Sequence, residues 1–329
     1  MRNFDYVNAS TTESAVTLLG NEHDQAKILA GGTDLLDELK EGLVAPARLV
    51  NLKANRALHY LSFNETDGLQ LGALATLSEA EESADLRAHY PLIAQAIGVI
   101  ASPQIRNVAT VGGNLCQRPR CWYYRDQALA CARKGGPLCY AMSGENAYHA
   151  ILGGAGCYIV HPSDLAPALI AHDARITFSG PEGRKTIALE EFFLGPDKDI
   201  RRENVLAPNE VVEEVSVPRP NEGARGVYLK VRDRNAWDFA TLSVAALLEM
   251  DGGTCRRARI VLGAVAPTPW PAPVADRILT GARITESLAR EAAEAALFGA
   301  RPMTHNGYKV PLAKNLVRRA VLQAAGVAG

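Results

Sequence analysis

The stretch Lys27-Ile28-Leu29-Ala30-Gly31-Gly32-Thr33-Asp34-Leu35-Leu36-Asp37-Glu38-Leu39 decides the fold class. Its first four residues form a short apolar run with strand character. The run stops at a glycine pair, and the residues after it have helical spacing. A second apolar run, Arg48-Leu49-Val50-Asn51-Leu52, follows the breaker Ala45-Pro46. Strand, glycine loop, helix and strand in that order predict a βαβ unit with a right-handed crossover. Ahead of it, residues 13–20 (ESAVTLLG) predict a short amphipathic helix.

Outward from this unit the texture changes. From about residue 56, alternation (GLQLGALATLSE) gives way to a helix-like stretch, LSEAEESADLRAHYPLIAQAIGVI, which reads as a second α+β subdomain. Residues 117–156 carry Gly, Pro, Cys and aromatics with little periodicity and read as a long insertion loop; loops of that length are functional or disordered. The segments CYIVHP, ARITF, TIALEEFF and VVEEVSVP predict strands between 157 and 217, with one helix, SDLAPALIAHDA, capped by Ser163. Pro218-Arg219-Pro220-Asn221-Glu222-Gly223 has linker composition. Beyond it, GVYLKVRD, FATLSVAALLEM and RRARIVLGAVA predict an antiparallel sheet, with helices at 285–298 and 311–325. The expected division is a domain of residues 1–220, with subdomains of about 1–55 and 56–220 and a cysteine-rich loop at 116–157, followed by a domain of residues 221–329. No internal repeat is visible.

Composition narrows the function classes. The 329 residues are 47% hydrophobic and 22% charged, and 35 Lys+Arg face 36 Asp+Glu for a net charge of −1. That balance gives no electrostatic reason to expect nucleic acid or a membrane surface as partner, and it excludes a disordered chain. No apolar run approaches the ~18–20 residues that span a bilayer, and the N-terminus lacks a signal peptide's apolar stretch. A cytoplasmic protein is expected, or a periplasmic one if a partner carries the export signal.

The glycine loop lets the backbone turn sharply and approach a ligand, and N–H groups ahead of a helix can bind phosphate. A second pair lies in Thr110-Val111-Gly112-Gly113-Asn114. Neither fits G-x-G-x-x-G or the P-loop pattern. Each alone also suits an ordinary tight turn; together they suit the phosphates and flavin of one long dinucleotide.

Cys116, Cys121, Cys131, Cys139 and Cys157 fall within 42 residues, and only Cys255 stands apart. No C-x-x-C pair occurs, whereas structural zinc sites usually include such a knuckle. A cuboidal iron–sulfur cluster accepts four thiolates from a wandering loop. On spacing, a cluster, a zinc site and structural or redox thiols all remain open, with Cys116 a fifth candidate. Two polar segments complete the inventory. Lys230 precedes Val231-Arg232-Asp233-Arg234 and suits either a flavin edge or a solvated basic turn. His161-Pro162-Ser163-Asp164 suits either a helix cap or a cofactor contact.

AGGTDLL near residue 30, QIRNVATVGGNL at 104–115, HPSDLAPAL at 161–169 and KVRDRNAWDFATLSVAA at 230–246 together resemble the flavin-binding medium subunit of the xanthine dehydrogenase and carbon monoxide dehydrogenase family, in the family's order and over essentially the whole chain. The resemblance implies an α+β protein: a two-subdomain FAD-binding fold of the vanillyl-alcohol-oxidase (PCMH) type plus a small α+β C-terminal domain. It places FAD between the subdomains. Lys27, Ile28, Leu29, Ala30, Gly31, Gly32, Thr33, Asp34 and Leu35 would wrap the pyrophosphate, and Thr110, Gly113 and Asn114 would approach it from the second subdomain. Ser163, Asp164 and Lys230 would serve the flavin end.

The insertion, with Pro119-Arg120-Cys121 and with Cys157 just ahead of His161, resembles that of the periplasmic aldehyde oxidoreductase and 4-hydroxybenzoyl-coenzyme A reductase branch, which carries a [4Fe–4S] cluster. Carried over, the ligands are Cys121, Cys131, Cys139 and Cys157, without Cys116. The implied activity is an electron relay with no substrate-transforming residue in this chain. A large molybdenum-cofactor subunit and a small [2Fe–2S] subunit would be its partners, in a heterotrimer or a dimer of heterotrimers. Family members that use NAD have a Phe-Phe-x-Gly-Tyr type loop, where this chain reads Phe192-Phe193-Leu194-Gly195-Pro196. Oxygen, a quinone or ferredoxin therefore stand beside NAD as acceptors. A zinc-stabilised scaffold and a stand-alone FAD oxidase are the competing classes.

Overall fold

The computed structural model describes residues 2–327. Around the first glycine pair, strands β1 (Asp5–Asn8), β2 (Ala26–Leu29) and β3 (Arg48–Asn51) form a parallel sheet in the order β1-β3-β2, with Ile28 opposite Val50. The helix Leu35–Lys40 joins β2 to β3, as the strand–loop–helix–strand pattern predicts. The helix Thr12–Leu19 starts at Thr11, whose hydroxyl accepts from Ser14 N–H while the Ser14 hydroxyl accepts from Thr11 N–H. It buries Ala15 and Leu19 beside Val50 and Leu52.

The second sheet is antiparallel, in the order β4-β5-β8-β6-β7, with β4 (Leu61–Asn64), β5 (Gly68–Gly72), β6 (Arg175–Gly180), β7 (Gly183–Ala188) and β8 (Val211–Val217). One apolar core joins it to the helices that precede and follow it. The helical stretch expected after residue 76 is three short helices, Leu77–Glu82, Ala84–His89 and Pro91–Gly98. Ser83 leaves the helical region to cap the second, accepting from Leu86 N–H at 3.2 Å, and Pro91 opens the third. Two strand expectations are corrected. CYIVHP forms no strand, because its backbone bonds go to neighbouring loops: Tyr158 O accepts from Ala150 N–H and His161 N–H donates to Ala266 O. TIALEEFF is strand only to Ala188, and Leu189–Phe192 turns helical to bury Phe192.

The third sheet is antiparallel in the order β12-β11-β10-β9, with β9 (Ala224–Val231), β10 (Leu242–Asp251), β11 (Thr254–Gly263) and β12 (Trp270–Pro271). Both faces are buried. Ala245 and Leu247 join the core of the second sheet, while Val244, Ala246 and Leu248 face the helices Pro273–Leu279, Glu286–Ala296 and Lys309–Ala325. The first of these three helices was not expected from the sequence. Among the described residues no helix is long and apolar enough to cross a membrane.

Candidate flavin cleft and cysteine pocket

A cleft of about 730 Å³ runs between the first two sheets, within the ~300–1,000 Å³ typical of cofactor sites. Of the residues Lys27 to Leu35, all but Leu29 line it, and so do Thr110, Gly113, Asn114 and Asp164. Gly31 marks the closest approach of the two walls. A Cβ there would lie 2.1 Å from Val108 O, so only glycine lets the loop touch the backbone ahead of Thr110. Gly32 has φ +78°, in the left-handed region that favours glycine. Opposite, Val111 N–H and Gly112 N–H donate to Ala75 O and Ala73 O at 2.9 Å, which fixes the second glycine pair against the strand end.

Leu29, Ser163 and Lys230 lie outside the lining. Ser163 is buried, accepts from Ala166 N–H at 3.0 Å and donates to Asn114 Oδ1 at 2.6 Å, so it caps the helix Leu165–Ala171 and orients a lining residue. The Lys230 ammonium donates to Asp164 Oδ2 at 2.7 Å, Asp238 O at 2.8 Å and Val99 O at 3.1 Å. Tyr228 Oη adds a bond to Asp164 Oδ1 at 2.8 Å. Burial raises the Asp164 pKa, and the Lys230 ammonium opposes that rise. Lys230 thus shapes the cleft through Asp164 and the 238 loop.

The sequence did not expose what connects the cleft to the insertion loop. Asp34 Oδ2 accepts from Arg118 N–H at 2.6 Å, and its Oδ1 pairs with Arg120 at 2.8 Å and Arg125 at 2.7 Å. Buried Glu38 accepts from Tyr124 Oη at 2.8 Å. Glu203 pairs with Arg118 at 3.1 Å and accepts from Arg133 Nε at 2.9 Å. Arg133 in turn reaches Ile200 O at 2.7 Å and lies 4.0 Å from Cys157 Sγ. The only local hint was the alternation of arginines with aromatics and cysteine in Arg118-Pro119-Arg120-Cys121-Trp122-Tyr123-Tyr124-Arg125.

Cys121, Cys131, Cys139 and Cys157 line one interior pocket together with Arg133 and His149. Cys116 lines the cleft instead, and Cys255 lies in β11. All are free thiols. Peptide N–H groups of Tyr123 and Tyr124 bond to Cys121 Sγ, that of Ile159 bonds to Cys157 Sγ, and His149 Nε2 lies 3.2 Å from Cys121 Sγ. Burial pushes the Cys121 thiol up to about 12, with the neighbouring Cys157 and Cys139 adding like-charge repulsion. Bare thiolates are therefore disfavoured here unless cationic metal compensates them. Four soft donors with N–H groups aimed at sulfur fit the chemistry of an iron–sulfur centre. The pocket they line has a volume of about 10 Å³. Among the described residues no three His, Cys, Asp or Glu side chains are grouped as a single metal ion requires.

With this geometry in place, comparison with known proteins defines the class. Residues 2–220 match the FAD binding domain in molybdopterin dehydrogenase, and residues 227–324 match the CO dehydrogenase flavoprotein C-terminal domain. The chain belongs to the FAD-binding subunits of the xanthine dehydrogenase and carbon monoxide dehydrogenase family, and it is a flavoprotein subunit of an oxidoreductase. It is 34% identical to the aldehyde oxidoreductase FAD-binding subunit PaoB of Escherichia coli, covering 98% of this chain and 99% of that one. It is 28% identical to the carbon monoxide dehydrogenase medium chain of Hydrogenophaga pseudoflava, over 97% and 96% of the two chains. Its backbone superposes on carbon monoxide dehydrogenase from Hydrogenophaga pseudoflava with a TM-score of 0.78 at 28% identity, covering 99% and 98%. For quinoline 2-oxidoreductase from Pseudomonas putida the TM-score is 0.77 at 25% identity, with the same coverage.

Proposed function

We propose that this chain is the electron-relay subunit of a molybdenum hydroxylase, holding FAD in the cleft and a [4Fe–4S] cluster on Cys121, Cys131, Cys139 and Cys157. The observation that carries the cluster assignment is convergence: four cysteines dispersed through an irregular loop line a single pocket, while the fifth cysteine of the same stretch does not. Zinc is the weaker occupant, because the four cysteines include no C-x-x-C pair of the kind that gives structural zinc sites their knuckle.

The residues divide the work. The glycine loop and Thr110 to Asn114 supply main-chain N–H groups and close approach for the pyrophosphate, and Asp164, held by Lys230 and Tyr228, faces the flavin end. FAD, when bound, supplies the capacity to accept an electron pair and release single electrons. The Asp34 and Glu203 pairs with arginine, together with the Tyr124–Glu38 hydrogen bond, hold the insertion loop against the cleft wall, which keeps the two cofactor sites adjacent.

In this proposal the substrate is transformed on a large molybdenum-cofactor partner, and a small [2Fe–2S] partner delivers the electrons. The name of the Escherichia coli relative makes aldehydes the first substrates to try. Residues 1–220 and 221–329 are taken as the two domains, and the compartment follows the partner that carries any export signal. NAD is disfavoured as acceptor. Phe193 is buried edge-on against His161, with ring centroids 4.6 Å apart, and Gly195-Pro196 does not reach the cleft.

The test is metal, sulfide and flavin analysis of the native complex. Cys131→Ser should remove about four irons per chain while leaving most FAD. Unchanged iron rejects that ligand set, and a colourless zinc protein rejects the proposal. Aldehyde turnover by the isolated chain points instead to a stand-alone oxidase, and a native preparation without a molybdenum-containing chain removes the relay.

A further inference from the structure

Among the described residues, two side-chain donors reach sulfur in the cysteine pocket, and they are not equivalent. Arg133 Nη1 lies 4.0 Å from Cys157 Sγ, but the same nitrogen donates to Ile200 O at 2.7 Å and the rest of the guanidinium serves Glu203. His149 Nε2 lies 3.2 Å from Cys121 Sγ, and among the described residues this is the only hydrogen bond its ring makes. The ring is buried, 4% exposed, and its Nδ1 has no partner. That fixes the hydrogen. On Nδ1 it would be a buried donor without an acceptor, and the bare Nε2 lone pair would face the lone pairs of sulfur. On Nε2 it is donated to Cys121. A metal-bound thiolate has no hydrogen of its own to offer, so with a cluster in place the bond runs one way, from ring to sulfur.

The surrounding fold holds the ring in this position. Trp122 meets it edge to face with centroids 5.3 Å apart, and the Tyr123 ring lies 6.0 Å from it. The His149 N–H donates to Asn146 O at 3.0 Å, and the His149 carbonyl accepts from Lys309 Nζ at 3.2 Å and Asn306 Nδ2 at 3.1 Å. Asn306 and Lys309 stand at the start of the long C-terminal helix, so the imidazole is set from outside the loop that carries the cysteines. Cys121 collects this bond in addition to the peptide N–H groups of Tyr123 and Tyr124.

We propose that His149 is a positioning residue that raises the reduction potential of the iron–sulfur centre by donating its Nε2 hydrogen to the Cys121 sulfur. The inference rests on the cluster assignment above. Negative charge added on reduction is shared by the ligand sulfurs, so a donor at sulfur stabilises the reduced form more than the oxidised form. One electron enters and no proton moves, because the ring keeps its hydrogen in both states. The bond does not hold metal; the four cysteines do that, and His149 acts on the centre through one of them.

The test is a dithionite titration of the native complex followed by electron paramagnetic resonance of the reduced cluster. His149→Phe keeps the aromatic packing and removes the donor, whereas His149→Gln replaces the ring with an amide that still carries N–H. His149→Phe should make reduction about tenfold less favourable, a fall of about 59 mV for one electron, with iron and FAD contents unchanged. His149→Gln should recover most of that fall. Equal potentials in all three proteins, or equal falls in both variants, would overturn the inference, the second by showing that only the packing of the ring matters. Loss of iron from both variants would overturn it too, since the ring would then be a ligand or a prop. A measurement on wild type keeps the test decisive if the variants do not assemble. With histidine labelled with nitrogen-15, pulsed resonance of the reduced cluster should show one weak nitrogen coupling, and a coupling of direct-ligand strength, or none, would contradict the bond. A native complex without iron and sulfide refutes the cluster assignment and this inference with it, whereas a loaded complex whose potential ignores His149→Phe refutes this inference alone.

Discussion

Gly31 carries a constraint that its neighbour Gly32 does not. Gly32 needs its left-handed backbone, but Gly31 needs empty space, because its α-carbon rests against the Val108 carbonyl of the opposite wall. Gly31→Ala is expected to push the walls apart, cost roughly 1–3 kcal/mol and lower FAD content per chain. Urea unfolding and visible flavin absorbance check both, and wild-type values would contradict the close approach. His172 offers a pH readout in the same domain. It packs edge-on against Tyr90 at 5.5 Å, Nε2 lacks a partner, and burial draws the ring from 6.5 down to about 4. The neutral ring's contribution is complete above pH 6.5 and disappears as pH falls toward 4, where the unfolded chain binds the extra proton. Wild type should therefore lose about 3 kcal/mol more than His172→Phe over that window, and parallel stability–pH curves would reject it. Glycine loops were legible because their signal is local, a breaker between two periodic runs. The roles of Asp34, Ser163 and Lys230 were not, because their partners lie 84, 49 and 66 residues away in the chain.

Among the elements, the insertion loop departs most from what periodicity can reveal. Strands β2, β3, β6 and β8 follow apolar runs that a window of a few residues detects. Residues 116–157 contain no strand, one four-residue helix and two short 3₁₀ turns, so their shape comes from side chains that grip other elements. The strand expected at CYIVHP failed for the same reason, since a buried apolar run satisfies its backbone equally well with loop carbonyls as with a ladder. Asp34 is the strongest single grip, taking one peptide N–H and two guanidinium groups from the loop's first turn. Asp34→Asn keeps an acceptor for the Arg118 N–H and removes the charge facing Arg120 and Arg125. Partial burial of those pairs makes the loss worth about 1–2 kcal/mol. Limited trypsin digestion should then cut at Arg118, Arg120 or Arg125 several-fold faster than in wild type, with cleavage elsewhere unchanged. Uniform protection across the chain would mean that the loop is held by its own packing alone.

At the scale of the whole molecule, the third sheet is an integral wall of the core. Residues Leu242 to Leu248 of β10 are all buried, and alternate ones face opposite ways, Ala245 and Leu247 into the flavin domain's core and Val244, Ala246 and Leu248 under the C-terminal helices. A strand was legible in FATLSVAALLEM, but nothing in that string said that both faces would be covered. A second connection runs through Lys309, at the start of the long C-terminal helix and fully buried. Its ammonium donates to Tyr148 O at 2.9 Å, His149 O at 3.2 Å and Ala264 O at 3.0 Å, and Asn306 Nδ2 donates to His149 O at 3.1 Å. One cation thus ties the C-terminal helix both to the sheet and to the part of the insertion loop between Cys139 and Cys157. Lys309→Met retains the aliphatic stem and removes the donor from the Tyr148 and Ala264 carbonyls, while His149 O keeps Asn306, so a loss of about 2–3 kcal/mol is expected. The distribution of that loss is the sharper test. Amide exchange should accelerate at residues 146–152 and near Ala264, while the helix Thr12–Leu19 in the first subdomain keeps its protection. Acceleration confined to the C-terminal helix, with the loop unchanged, would show that the C-terminal domain does not help hold the cysteine pocket in shape.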